Sequence, residues 1–288
     1  MTRVDELPAL PARPQHGHKG LFGRVLVVGG NPDMPGAAAL AGTAALRLGA
    51  GLVQVAVPRE VLPVALGVTP ELVGLSLGGA KTGRRLLDAA RLADALVIGP
   101  GMGTDEPSAE RFDRLMRLDK PAVVDADALN LLATRRRFPA KFALRAVLTP
   151  HPGEMRRLAR LVHHDEVPES EEASIELAVA VADTFEQVVV LKGAATVVSD
   201  GHRVFVNRTG DSSLSKAGSG DVLAGMIGTL LAQMDDAFAA ASLGVHLHGL
   251  CGQSAGRRLG RRGVLARDVI DEIPVVVQEY EKRPVGPS

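Results

Sequence analysis

The sequence predicts an α/β fold of three layers, in which helices cover both faces of a doubly wound, mainly parallel sheet. Hydrophobic residues make up 46% of the 288 residues, enough for a large core, but aromatic residues make up only 3%. The core must therefore be built from small and aliphatic side chains. Short aliphatic runs that end in Gly, Pro or polar residues alternate with helical segments along the chain, a pattern typical of parallel βαβ units.

One domain is predicted over residues 21–280, because no linker-like stretch divides the chain there. Residues 1–20 contain several prolines, which block regular structure, and they are predicted to form an extended lead-in. Residues 281–288 are predicted to form a tail.

The strands and helices of this domain can be assigned in chain order. Buried strands are predicted at residues 24–28, 52–57, 95–98, 122–124, 146–148 and 188–191. Two further β segments, at residues 196–199 and 204–207, flank Asp200-Gly201, a pair that favours a hairpin turn. Helices rich in small residues are predicted over about 36–48, 221–234 and 237–256, and the acidic stretch 163–172 is predicted to be a surface loop.

Charge and cysteine content exclude several classes of function. The formal net charge is zero, so no basic stripe suited to nucleic acid is indicated. The single cysteine, Cys251, excludes an internal disulfide and is typical of a reducing cytoplasm. Residues 237–256 carry no Asp, Glu, Lys or Arg, but their many small and polar residues favour a buried helix over a membrane span. We therefore expect a cytoplasmic protein.

The segment Gly218-Ser219-Gly220-Asp221 carries the clearest chemical signal. It opens an apolar helix, and its glycines let a ligand approach the backbone closely. The unpaired N–H groups of a first helical turn, together with the helix dipole, favour an anion such as a phosphate. Asp221 would repel a phosphate, so we interpret it as a general base that takes a proton from a hydroxyl attacking phosphorus. The simpler alternative is that Asp221 only caps the helix.

Other conspicuous residues also follow predicted strands, at the edge where ligands of open parallel sheets bind. Residues 99–103 form either a tight loop whose backbone could cover a flat ligand or an ordinary turn. His151 lies between two prolines, and so rigid a position favours contact with a ligand. The segment 28–36 fits neither a P-loop nor the Gly-x-Gly-x-x-Gly spacing, so nicotinamide-dependent hydride transfer is not supported. His163 and His164 fall in the predicted surface loop rather than in a metal site.

Taken in order, the segments resemble the ADP-dependent (S)-NAD(P)H-hydrate dehydratases, a family of the ribokinase-like superfamily. The resemblance covers about residues 16–273, and the ordered set of segments is far more selective than the last motif alone. The matching segments are His18-Lys19-Gly20 with Phe22-Gly23-Arg24-Val25-Leu26-Val27-Val28; Gly36-Ala37-Ala38 with Ala44-Ala45-Leu46-Arg47 and Gly49-Ala50-Gly51-Leu52-Val53; Gly99-Pro100-Gly101-Met102-Gly103; Asp125-Ala126-Asp127-Ala128-Leu129-Asn130; Thr149-Pro150-His151-Pro152-Gly153-Glu154; Leu191-Lys192-Gly193-Ala194 with Thr196; and Gly218-Ser219-Gly220-Asp221-Val222-Leu223-Ala224-Gly225.

The resemblance implies a repair reaction on damaged nicotinamide cofactors. NADHX and NADPHX carry water added across a double bond of the nicotinamide ring. Such enzymes phosphorylate the new hydroxyl with ADP and then eliminate phosphate, which restores NADH or NADPH and leaves AMP. ATP is the alternative donor, and bound Mg²⁺ would bridge the phosphate oxygens.

The resemblance also implies roles for individual residues. Asp221 would be the base, and the anion hole would be formed by Gly218, Ser219 and Gly220. The nucleotide would bind Lys192, Gly193, Ala194, Ala195, Thr196 and Gly220. The hydrate would bind Ala37, Gly101, Gly103, Asn130, His151 and Asp221. No residue is assigned as a metal ligand.

The segment before the last motif departs from the family pattern. Family members usually show Gly-Asn-Pro-Gly-Met-Ala-Thr, whereas this chain has Gly210-Asp211-Ser212-Ser213-Leu214-Ser215-Lys216. Asp211 adds an anion where Asn is expected, and Lys216 adds a cation close to the expected phosphates. Many relatives also carry an N-terminal epimerase domain, for which this chain has no room, so a separate epimerase is expected. A homo-oligomer is a further expectation from the resemblance.

Two other functions stay open at the level of sequence. A ribokinase-like kinase of a small alcohol, such as a vitamin precursor, would use the same anion hole and base but would leave a stable phosphate ester. A non-catalytic nucleotide-binding protein would need Asp221 only as a helix cap.

Overall fold

The computed structural model describes residues 1–79, 81–135, 138, 141–162 and 170–282, which form one ten-stranded sheet with helices on both faces. The strands are β1 (Thr2–Arg3), β2 (Arg24–Val28), β3 (Leu52–Pro58), β4 (Val73–Leu77), β5 (Ala95–Ile98), β6 (Pro121–Val124), β7 (Arg145–Leu148), β8 (Val188–Leu191), β9 (Val197–Ser199) and β10 (Arg203–Val206). The helices are α1 (Ala37–Leu48), α2 (Leu62–Val68), α3 (Thr82–Leu92), α4 (Glu106–Leu115), α5 (Ala126–Ala133), α6 (Pro152–Ala159), α7 (Glu171–Phe185), α8 (Ser219–Leu231), α9 (Ala237–Leu259) and α10 (Ala266–Glu281).

Most strands run in the same direction, so their carboxyl ends lie together at one end of the sheet. The sheet has the order β1-β10-β9-β8-β7-β6-β5-β2-β3-β4. From β4 to β8 all neighbouring strands pair in parallel, whereas β9 runs antiparallel to both β8 and β10. The winding direction reverses between β2 and β5, and ligands of such sheets bind at the carboxyl ends near the reversal.

Two hydrophobic cores cover the two faces of the sheet. Val27 in β2 packs in the core formed with α1, α2 and α8–α10. Val28, the next residue, packs in the core formed with α3–α7, because successive strand side chains point to opposite faces. The predicted three-layer, doubly wound arrangement is therefore confirmed.

Small residues bring α8 close to α1 and to the sheet. A Cβ added at Gly225 would lie 2.1 Å from the carbonyl oxygen of Ala41, and one at Gly228 would lie 2.4 Å from Val97 Cγ2. A larger side chain at Gly225 would push α8 away from α1, and one at Gly228 would push it away from the sheet, so the two glycines set how closely α8 packs. The second small-residue helix, α9, is buried along most of its length. Within the described residues, no helix is long and apolar enough to cross a membrane.

The predicted strands and hairpin are confirmed, and the sheet has two further strands. β4 lies at one edge, and its pattern of burial alternates along the strand. β1 lies at the other edge, where it pairs with β10 and Val4 N donates to Val204 O at 2.8 Å. Part of the extended lead-in is thus a strand, which two residues are too few to predict from periodicity.

The predicted loop at residues 163–172 is wrong at its carboxyl end. Glu171 and Glu172 form the first turn of α7, and the side chain of Ser170 caps the helix by accepting from Ala173 N. Carboxylates in a first helical turn are stabilised by the helix dipole, so the acidic composition marked a helix start. Residues 163–169, with His163 and His164, lie outside the described residues, as do residues 283–288 of the predicted tail.

Candidate functional site

A cleft of ≈ 820 Å³ opens beside the first turn of α8, next to the loops that follow β7 and β8. Its volume is in the range of small-molecule sites. Of the residues predicted to contact ligands, those that line it are His151, Lys192, Gly193, Ala194, Thr196, Ser219 and Gly220. The structure thus brings most of the predicted nucleotide-binding residues to one cavity.

The loop that follows β8 is closed by Thr196. Its Oγ1 donates to Gly193 O at 3.2 Å, and this bond draws the loop back on itself. Ala195, predicted to bind the nucleotide with its neighbours, does not line the cleft but a smaller adjoining cavity of ≈ 300 Å³.

The turn before α8 requires a glycine at its first position. Gly218 is the N-cap with φ +88°, a conformation that side chains disfavour, and a Cβ there would lie 2.8 Å from Leu40 Cδ1. Ser219 N donates back to Lys216 O at 3.3 Å. The amides of Gly220 and Asp221 follow in the first helical turn, where the helix offers no acceptor. These two amides are therefore better placed for an anion than that of Ser219.

Asp221 is the third residue of α8 and is partly buried. Burial, followed by the charge of Asp125, raises the pKa of its carboxyl to about 7, although Lys192 opposes the shift. A carboxylate with a pKa near neutrality can both release and accept a proton under ordinary conditions, as a general base requires.

Lys192 lies behind the turn in an ion pair. Its Nζ is 2.8 Å from Asp125 Oδ1 and 3.9 Å from Glu154 Oε2. Burial disfavours the ammonium, but the two carboxylates outweigh this effect and raise the pKa of Lys192. A Cβ at Gly220 would lie 3.5 Å from Lys192 Nζ, so the ammonium is next to the anion-binding turn.

Asp125 and Glu154 were not predicted as site residues, although both lie in segments that the sequence singled out. Asp125 is 1% exposed, and Thr149 Oγ1 donates to its Oδ1 at 2.7 Å. The signal for Asp125 was its position directly after β6, where a buried carboxylate needs a cation, whereas Glu154 lies in the first turn of α6.

His151 caps α6. Its Nδ1 accepts from Gly153 N at 2.9 Å, and Glu154 Oε2 accepts from His151 N at 2.8 Å, which completes a capping box. Since Nδ1 is an acceptor, the neutral ring carries its proton on Nε2. The capping bonds therefore hold the ring at the cleft, with Nε2, which lies 3.5 Å from Glu154 Oε1, as its remaining donor.

The other residues predicted to bind the hydrate form a second group. A Cβ at Gly101 would lie 2.8 Å from the Cβ of Ala37, so these two residues are in contact. Gly103 N donates to Asp127 Oδ2 at 2.8 Å, and Asn130 Nδ2 donates to Asp127 Oδ1 at 3.3 Å. Asp127, which was not predicted as a site residue, therefore links Gly103 to Asn130.

The residues that line the cleft and the second group of predicted residues both have a member that affects Asp221. Ala37, Gly101, Gly103 and Asn130 are not among the described residues that line the cleft at Lys192. The pKa of Asp221 is nevertheless affected by Lys192 on the cleft side and by Asp127 in the second group. The carboxyl group that can move a proton thus lies within electrostatic reach of both.

His248 lines the cleft beside the turn and was not predicted to have a role. Its Nε2 lies 3.3 Å from Ser219 Oγ, and both residues are buried. Burial lowers the pKa of His248 to about 4, so the ring is neutral at pH 7 and adds no charge to the cleft.

The described residues contain no group of three or more His, Cys, Asp or Glu side chains that could hold a metal ion by themselves. Mg²⁺ often binds to one or two carboxylates together with the phosphates of a substrate.

Comparison with known proteins gives a family match over most of the chain. Residues 25–275 match the family described as NAD(P)H-hydrate dehydratase.

Two curated relatives show the extent of the similarity. The ADP-dependent (S)-NAD(P)H-hydrate dehydratase of Xanthomonas campestris is 40% identical over 287 residues, covering 96% of this chain and 95% of the relative. The bifunctional NAD(P)H-hydrate repair enzyme of Moorella thermoacetica is 44% identical over 283 residues, covering 95% of this chain and 52% of the relative. The chain spans about half the length of the bifunctional relatives it matches.

Solved structures agree with this match. The ADP/ATP-dependent NAD(P)H-hydrate dehydratase of Bacillus subtilis, co-crystallised with ATP and Mg²⁺, superimposes with a TM-score of 0.82 at 32% identity, covering 95% of each chain. A ribokinase-like superfamily protein of Enterococcus faecalis also superimposes with a TM-score of 0.82, at 25% identity, covering 95% of this chain and 93% of the other.

Proposed function

The chain belongs to the NAD(P)H-hydrate dehydratase family, and on this premise we propose that it restores NADH and NADPH from NADHX and NADPHX with ADP as phosphoryl donor. The observation that carries the proposal is the first turn of α8. There the amides of Gly220 and Asp221 and a carboxyl group with a pKa of about 7 belong to the same turn. Such a turn suits the transfer of a phosphoryl group to a hydroxyl.

In the proposed reaction the carboxylate of Asp221 accepts the proton of the hydrate's hydroxyl. The hydroxyl oxygen then attacks the β-phosphorus of ADP, and the bond between that phosphorus and the oxygen of AMP breaks. The amides of Gly220 and Asp221 stabilise the charge on the transferred group. The new phosphate ester leaves as inorganic phosphate while the ring loses a proton, which restores the double bond.

The loop after β8 supports a place for the nucleotide. Lys192, Gly193, Ala194 and Thr196 line one cleft with Gly220, so the AMP part and the transferred phosphate can occupy a continuous space. Mg²⁺ would neutralise phosphate charge when bound with the nucleotide. ATP is the alternative donor, since the B. subtilis relative is described as ADP/ATP-dependent.

The hydrate is proposed to bind on the other side of Asp221. Ala37 and Gly101 are in contact, and Gly103 and Asn130 are joined by Asp127. This group would hold the nicotinamide part, and His151 would contact the same ligand from the cleft.

The partners and location of the enzyme are also proposals. Relatives described as bifunctional NAD(P)H-hydrate repair enzymes support the proposal that epimerisation of the hydrate belongs to the same pathway. We expect a homo-oligomer from the family resemblance, and a cytoplasmic location from the single, buried cysteine. A formal net charge of zero gives no reason to propose nucleic acid as a partner.

The test is an assay of product identity. The protein is incubated with NADHX or NADPHX and either ADP or ATP, with absorbance of the reduced cofactor and release of phosphate followed together. We expect equal amounts of both products and AMP when ADP is the donor. A stable phosphate ester without reduced cofactor would instead indicate a small-alcohol kinase, and binding of nucleotide without any product would indicate a non-catalytic protein.

A further inference from the structure

We propose that Lys216 binds the terminal phosphate of the nucleotide donor and so allows the cleft to prefer ADP over AMP. The inference rests on the proposed function, because it requires a nucleotide in the cleft. Lys216 is an exposed residue that lines this cleft together with Gly220 and Lys192.

The backbone of Lys216 is fixed next to the anion-binding turn. Its carbonyl oxygen accepts from Ser219 N at 3.3 Å, and its own N–H donates to Leu214 O at 2.9 Å. The segment before it is also held, because Ser213 Oγ donates to Gly252 O in α9 at 2.7 Å. The flexible side chain of Lys216 therefore extends from a fixed point beside the first turn of α8.

The other charged groups around the cleft are already paired. Lys192 is shared between Asp125 and Glu154, so its charge is balanced before any ligand binds. Lys216 takes part in no ion pair among the described residues, so it can bind a phosphate without breaking one. A cation of this kind gains a charge-assisted contact at little cost.

Asp211, the nearby anion in the same segment, does not oppose this role. Its Oδ2 is 3.0 Å from Arg261 Nε, and its Oδ1 accepts from Ser213 N at 2.9 Å. These partners hold the pKa of Asp211 below its usual value although burial opposes them. Its charge is therefore compensated by Arg261 and leaves Lys216 available.

The location of Lys216 indicates which phosphate it would contact. In the proposed reaction the loop after β8 binds the AMP part, and the amides of Gly220 and Asp221 bind the phosphoryl group to be transferred. Lys216 comes just before the turn that carries these amides and is not part of the loop after β8. It would therefore contact the β-phosphate of ADP, a group that AMP lacks once transfer is complete.

The experiment compares binding of ADP and AMP by titration calorimetry, in the presence of Mg²⁺, for the wild type and two variants. In Lys216→Thr we expect the Kd for ADP to rise about tenfold, the size of one charge-assisted contact, and the Kd for AMP to stay within about twofold. Lys216→Arg, which keeps the charge, should keep most of the affinity for ADP. Lys19→Thr is the matched control, since Lys19 is an exposed lysine that precedes β2, whereas the cleft lies at loops that follow β7 and β8.

Two results would overturn the proposal. An unchanged Kd for ADP in Lys216→Thr would show that the ammonium makes no contact with the donor. Equal weakening of ADP and AMP would show that the residue shapes the cleft as a whole. Failure of the proposed function would give a different result. The wild type would then still bind ADP more tightly than AMP through Lys216, but it would not restore NADH from NADHX.

Discussion

The ammonium of Lys192 lies 2.8 Å from Oδ1 of Asp125, next to the turn where α8 begins. The two residues come from loops after different strands and affect the pKa of Asp221 in opposite directions. A change in this pair should therefore alter both the stability of the protein and the pKa of the proposed base, Asp221.

Replacement of Lys192 by methionine should destabilise the protein. Asp125 is 1% exposed and would lose its cation, and removing one partner of a buried pair typically costs about 3–5 kcal/mol. Urea unfolding would measure the loss. The double variant Lys192→Met/Asp125→Asn should recover only part of it, since Asp125 is then uncharged but the buried Glu154 still lacks the cation that lay 3.9 Å away. An unfolding midpoint for Lys192→Met equal to that of the wild type would contradict the interpretation.

The rate should depend on the ionisation of Asp221. Only the carboxylate can accept a proton, and its pKa in the free protein is about 7. The value of kcat/KM should therefore decline below pH 7 with the slope of a single proton. In Asp125→Asn the anion that helps to raise this pKa is removed, so the decline should move to lower pH. A profile that is flat between pH 5 and 8 would rule out Asp221 as the titrating base.

Asp221 should also make stability depend on pH. Its pKa is raised from 3.8 to about 7 by folding, so the folded protein binds the additional proton and stability falls as pH rises through that interval. Asp221→Asn removes this cost. We expect the variant to be more stable than the wild type at pH 8, by at most about 4 kcal/mol at about 1.36 kcal/mol per pKa unit. The difference should nearly vanish at pH 4, and a difference independent of pH would argue against the raised pKa.

Gly218→Ala should damage the turn. Position 218 has φ +88°, and a Cβ there would lie 2.8 Å from Leu40 Cδ1 and 3.0 Å from the Cβ of Ala266. We expect a loss of roughly 1–3 kcal/mol in thermal or urea unfolding and weaker binding of ADP. Gly67→Ala in α2 is the matched control, because nothing lies within 4 Å of its Cβ. That change should be neutral or slightly stabilising, and equal effects of the two substitutions would contradict the role of the turn.

Much of the fold could be predicted from the sequence because aliphatic strands and small-residue helices each leave a local pattern. The edge strands were harder. β1 has two residues and owes its conformation to pairing with β10, a contact between distant parts of the chain. The start of α7 was mistaken for a loop because Glu171 and Glu172 are equally compatible with an exposed loop and with an N-terminal helical turn.

The site was predictable in its parts but not in its connections. The turn at Gly218 is a local motif, and glycine spacing identifies it. The pairing of Asp125 with Lys192 joins residues 67 positions apart, and only the folded sheet brings them together. Asp127 was likewise hidden, because its contact with Gly103 joins α5 to the loop after β5, and neither segment alone shows that contact.

The central claim is that Asp221 is the base and that its turn binds the phosphate. Asp221→Asn tests this most directly, because it keeps the size of the side chain and the amide of the turn. The account predicts that the variant no longer restores NADH from NADHX and ADP, while its Kd for ADP stays within about threefold of the wild type. Turnover at the wild-type rate in Asp221→Asn would contradict the account.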